Sequence, residues 1–139
     1  MKLHHIGVAV KKLEEGIKLW EGVFGFRVKE IKESKEEGIK VGILEGNGII
    51  IELLTPISSH NPVAKFINTR GEGVHHLCFE VKDIKKTLKT IEQKGVKLID
   101  KIPRKGIIEE NIAFLHPSST CKVLIELCEG KTNSSISSP

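Results

Sequence analysis

The chain has no tyrosine, one tryptophan, one methionine and one glutamine among its 139 residues. Aromatic residues make up only 4%, so stacking platforms for nucleic-acid bases are not expected. Apolar runs are short and none approaches the ~20 residues of a membrane-spanning helix. The opening Met1-Lys2-Leu3-His4-His5 has no apolar h-region, so no signal peptide is expected and a cytoplasmic location is. Cysteine is scarce: Cys78, Cys121 and Cys128 are an odd number without CxxC spacing, which predicts reduced thiols rather than a disulfide framework. The near-absence of glutamine beside abundant Lys, Glu and Ile is a composition found in heat-adapted proteins. Charge of one sign is also lacking. The net charge is +4, and bases and acids are interleaved, as in Glu30-Ile31-Lys32-Glu33-Ser34-Lys35-Glu36-Glu37. That is a solvated surface rather than a nucleic-acid stripe. A mild positive field still favours capture of an anionic small molecule.

What is present is one domain's worth of chain, 39% hydrophobic and 29% charged, a globular balance. Its organisation is an internal repeat. Leu3-His4-His5-Ile6-Gly7-Val8-Ala9-Val10 returns 71 residues later as Val74-His75-His76-Leu77-Cys78-Phe79-Glu80-Val81. Each block precedes an amphipathic helix. The first carries Leu13, Ile17, Leu19, Trp20, Val23 and Phe24 and stops at Gly25. The second carries Ile84, Leu88 and Ile91, with Asp83 as N-cap and Gly95 as stop. Strands are expected at 26–31, 39–44 and 49–54 in the first copy and at 96–99, 111–115 and 122–128 in the second. Each copy therefore reads β-α-β-β-β. The fold class is α+β: two βαβββ modules, 1–54 and 74–130, joined by a linker at 55–73 with a short helix at 62–68. The Ser-rich tail at 131–139 is expected to be disordered.

Strand alternation sharpens the repeat. His4 falls with Ile6, Val8 and Val10, and His75 with Leu77, Phe79 and Val81. His5 and His76 face the other way, beside the small residues Gly7 and Cys78. The last strand of each module carries one carboxylate in an apolar run: Glu52 in Ile51-Glu52-Leu53, and Glu126 in Ile125-Glu126-Leu127. These lie 47 and 50 residues after His5 and His76 respectively. A carboxylate in a central strand is costly unless paired or bound to a metal. Two, at one place in two repeats, argue for a shared purpose. A pseudo-twofold brings His5, Glu52, His76 and Glu126 together, and that donor set suits Co, Ni, Mn, Fe or Zn, with two positions left open on a six-coordinate ion. His60 and His116 read as turn residues, Cys78 and Cys128 as small fillers, and Trp20 and Phe24 as core.

The duplicated unit with this quartet resembles the vicinal oxygen chelate superfamily, which includes glyoxalase I. Within it the methylmalonyl-CoA epimerases match best. The matching stretches are residues 3–10, Ile51-Glu52-Leu53-Leu54-Thr55-Pro56, Gly71-Glu72-Gly73-Val74-His75-His76-Leu77, Ala113-Phe114-Leu115-His116-Pro117 and Val123-Leu124-Ile125-Glu126-Leu127. The resemblance implies a curved mixed sheet around a metal site, with His5, His76 and Glu126 as ligands and Glu52 at a Gln-or-Glu position, also at the metal. It implies a divalent cofactor with Co²⁺ favoured, an acyl-CoA substrate and a homodimer. The implied reaction interconverts the C2 epimers of methylmalonyl-CoA through a metal-stabilised enediolate, with Glu126 moving the proton on one face and Glu52 or a metal-bound water on the other. A glyoxalase I-like lyase, an iron dioxygenase and a non-catalytic binding protein of the same fold are the alternatives. Three positions depart from the family pattern: Val41 stands at a place of a catalytic Glu, Glu109 at a loop glycine, and Lys122 at a glycine before the last strand.

Overall fold

The structure, a computed structural model, describes residues 1–130; the tail read as disordered lies outside the described residues. The chain divides into two compact units, His5–His76 and Met1–His4 together with the chain from Leu77 onward. The boundary falls beside the second His of each pair.

In the unit His5–His76, four strands lie in the order β2-β3-β4-β1. They are β1 (Lys2–Ala9), β2 (Arg27–Ser34), β3 (Ile39–Gly46) and β4 (Ile49–Pro56). β1 runs parallel to β4, while β4 with β3 and β3 with β2 are antiparallel. A parallel pair needs a crossover, which helix α1 (Leu13–Gly22) supplies. α1 has no side-chain N-cap, but Glu14 and Glu15 in its first turn oppose the positive end of its dipole. Its Leu13 packs with Val10, Leu44, Ile51 and Leu53 on one face of the sheet, the alternation expected of a half-covered sheet. Helix α2 (Pro62–Arg70) begins with Pro at its first turn and is capped by Asn61, whose side chain accepts from Ala64 N at 2.9 Å.

β5 (Gly73–Val81) enters the other unit at Leu77; the order there is β5-β7-β6, with β5 parallel to β7 (Ile125–Glu129) and β6 (Ile112–Leu115) antiparallel to β7. Helix α3 (Ile84–Gln93) starts at Asp83, whose side chain accepts from Lys86 N at 3.1 Å. Ile84 and Leu88 bury against Val81, Leu98, Ala113, Leu115 and Leu127.

Three expectations are corrected. No strand forms at 96–99; Leu98 makes one isolated bridge to Leu115. The amides of Ile99 and Asp100 both bond the Phe114 carbonyl, and the Asp100 carboxylate accepts from Phe114 N at 2.8 Å. A side chain thus takes the amide that a continuing ladder needs. The last strand begins at Ile125 rather than Lys122, because Cys121 and Lys122 are left-handed, at φ 58 and 69. Finally, Phe24 is 55% exposed. α1 ends at Gly22, so helical spacing no longer governs Phe24, which meets half-buried Trp20 edge-on.

Candidate metal centre

On β1 the side chains of Ile6 and Val8 join the α1 core, which sends His5, Gly7 and Ala9 to the opposite face, all three buried. Gly7 registers with Glu52 on the parallel neighbour β4, so Glu52 shares that face. Three donors converge there inside the unit His5–His76. His5, Glu52 and His76 are 1%, 5% and 4% exposed. Nε2 of His5 lies 3.1 Å from Nε2 of His76, and Nδ1 of His5 lies 3.2 Å from Oε2 of Glu52. One ligand atom from each of the three lies within 4.8 Å of the other two. The rings of His5 and His76 stand edge-on, at 86° with centroids 5.2 Å apart.

This arrangement fits a divalent cation. Around a six-coordinate ion with bonds of about 2.1 Å, neighbouring donors lie about 3.0 Å apart and opposite donors about 4.2 Å. Two buried imidazole nitrogens at 3.1 Å, with a buried carboxylate within reach, match those separations. His75 adds an orienting contact that the sequence reading missed. Its Nδ1 lies 3.0 Å from Nδ1 of His76, and its ring rests edge-on against Phe66. A metal-binding imidazole is commonly fixed through its second nitrogen in this way. Gly7 was noted only as leaving room. A Cβ there would lie 2.7 Å from Nε2 of His76, so the ring occupies the volume that glycine vacates. The face-by-face alternation was the signal for Gly7; it gave none for His75, which it placed on the opposite, apolar face.

Glu126 belongs to the other unit, on β7, and is 5% exposed. Its register repeats that of Glu52. Glu52 pairs with Gly7, two residues after His5; Glu126 pairs with Cys78, two residues after His76. On the antiparallel side the partners are Ile43 and Phe114. Cys78 and Cys128 are buried in a cluster with Ile112, as fillers do. The Cys78 thiol is pushed far above its ordinary value by its contact with the Cys128 side chain, by burial and by the nearby Glu126 charge. Val41 is buried opposite Leu54 on the Glu52 face and brings no carboxylate there. His60 is exposed, and His116 accepts from Ser118 N at 3.1 Å, a turn role for each. No helix among the described residues is long and apolar enough to cross a membrane.

Residues 4–114 match the family model of the glyoxalase/bleomycin resistance protein/dioxygenase superfamily, and the chain belongs to that superfamily. Its relatives narrow the class. It is 36% identical over 129 residues to the mitochondrial methylmalonyl-CoA epimerase of Dictyostelium discoideum, covering 92% of this chain and 78% of that one. Among solved structures, a hypothetical protein from Bacillus halodurans superposes with a TM-score of 0.90 at 37% identity, covering 95% of this chain and 96% of that chain. A methylmalonyl-CoA epimerase in complex with methylmalonyl-CoA and NH4+ gives 0.87 at 30% identity, covering 94% and 95%. The resemblance to methylmalonyl-CoA epimerases read from the sequence therefore holds, as do the glyoxalase-type fold and the reading of the chain as an isomerase.

Proposed function

We propose that this chain is a divalent-metal-dependent epimerase of methylmalonyl-CoA, acting by proton transfer at C2. The observation that carries the reading is the buried convergence of His5, Glu52 and His76. His5, Glu52, His76 and Glu126 are its ligands; the repeated register of Glu52 and Glu126 supports adding the fourth. When bound, the cation supplies Lewis-acid stabilisation of the negative charge that develops beside C2. Glu126 takes the C2 proton from one face, and Glu52 holds the proton returned from the other, since no carboxylate stands at position 41. Co²⁺ as the favoured metal, a homodimer and a cytoplasmic location extend the same resemblance.

The test is exchange of the C2 hydrogen of methylmalonyl-CoA with D2O, before and after EDTA treatment and Co²⁺ addition. Exchange is expected with Co²⁺, is lost with EDTA and is abolished by Glu126→Ala. A protein that exchanges nothing under any divalent metal is not this enzyme. Unchanged turnover in Glu126→Ala removes that residue from the mechanism.

A further inference from the structure

We infer that Glu109 is an additional carboxylate contact to the divalent cation, beside Glu126. The inference rests on the reading above, in which Glu126 is a ligand. Glu109 sits in a loop whose backbone is tied closed. Arg104 and Ile112 exchange both amide–carbonyl bonds, at 2.9 and 2.8 Å, and Gly106 N donates to the Glu109 carbonyl at 2.9 Å. With its backbone pinned, the Glu109 side chain has Oε2 shielded from solvent, and that oxygen has no hydrogen-bond partner among the described residues. A carboxylate oxygen of Glu109 also lies within 4.8 Å of one from Glu126, itself 5% exposed.

Such a pair is unfavourable by itself. Two carboxylates this close repel, and the shielded Glu109 oxygen, without a donor, has lost its water with no replacement. A cation in contact with both removes both penalties at once. Glu109 thereby turns the donor set toward hard oxygen ligands, which favours Mn²⁺ or Co²⁺ relative to a site of imidazoles and one or two carboxylates. It also occupies one of the coordination positions that a four-ligand site leaves open.

The experiment is calorimetric titration of the full chain with Co²⁺ alone, alongside the visible absorption of the Co²⁺-loaded protein. Wild type, Glu109→Gln, Glu109→Ala and Glu126→Gln are compared. Glu109→Gln and Glu109→Ala are expected to weaken Co²⁺ binding tenfold or more and to change the absorption band. The metal-free Tm of both is expected to stay level or rise, since a like-charge contact is gone; a merely structural loop residue lowers it. Co²⁺ affinity within twofold of wild type and an unaltered band, in variants where Glu126→Gln abolishes binding, overturns the assignment of Glu109 alone. Full Co²⁺ affinity in Glu126→Gln overturns the underlying ligand set and the Glu109 assignment with it.

Discussion

Replacing Gly7 by alanine tests whether the metal-centre geometry is set by backbone approach rather than by the donor residues alone. A Cβ at position 7 would sit 2.7 Å from Nε2 of His76, whereas ordinary carbon–nitrogen contacts need about 3.4 Å or more. The ring must therefore retreat by the order of 1 Å. The ring is also tied to His75, 3.0 Å away at Nδ1, so its displacement disturbs that contact too. Overpacking of this kind costs about 1–3 kcal/mol. At about 3–4 °C per kcal/mol for a chain of this size, the metal-free Tm should fall by roughly 3–12 °C. The functional effect is larger than the stability effect. His5 and His76 face each other at 3.1 Å through Nε2, and a shift near 1 Å takes one donor out of coordination distance. The shift also disturbs the His75 contact that orients the ring, and loss of such an orienting partner alone corresponds to about 10–100-fold in metal affinity, or about 1.4–2.7 kcal/mol. Urea denaturation of the metal-free protein gives the first quantity and Co²⁺ calorimetry the second. Gly22→Ala is the control, because a Cβ at the end of α1 meets nothing within 4 Å. Gly7→Ala with stability within 0.5 kcal/mol of wild type and Co²⁺ affinity within twofold refutes the argument.

Three further outcomes are expected from the other unit. Lys122 is exposed and left-handed at φ 69, so Lys122→Gly should raise stability by several tenths to about 1 kcal/mol in denaturant titration, the relief of the Cβ clash exceeding the added chain entropy; a loss of stability contradicts that balance. Cys121 is exposed while Cys78 and Cys128 are buried, so a native-state thiol reagent should modify one cysteine per chain, and rapid labelling of three contradicts the packing. Because the folded Cys78 thiol is held protonated by its Cys128 contact, by burial and by Glu126, only the unfolded chain loses that proton above about pH 9. Stability should then fall with rising pH by about 1.4 kcal/mol per unit from this group, and Cys78→Ala should flatten that slope.

Much of this was legible in the residues because the repeat is written twice. Period-2 alternation placed His5 and His76 on the less apolar faces, and Glu52 and Glu126 interrupted apolar runs at matching points. These are local signals, and the register that pairs Glu52 with Gly7 and Glu126 with Cys78 follows them. Where a tertiary partner intervened, local reading failed. Asp100 claims the Phe114 amide and stops a strand that periodicity suggested at 96–99. Phe24 lies two residues beyond the end of α1, so a residue at helical spacing from Trp20 lies half in solvent.

The sequence by itself determined the three helices, the Asp83 cap and the four residues with the chemistry for a metal. Periodicity and residue type act over a few positions, and neither depends on the rest of the chain. Only the tertiary structure decided that His5 and His76, 71 residues apart, stand 3.1 Å from one another. It also decided that His75 holds the second ring, and that a loop acid at 109 turns inward within 4.8 Å of Glu126. Those facts depend on strand register and loop closure, which are settled by long-range packing and have no local trace in the chain.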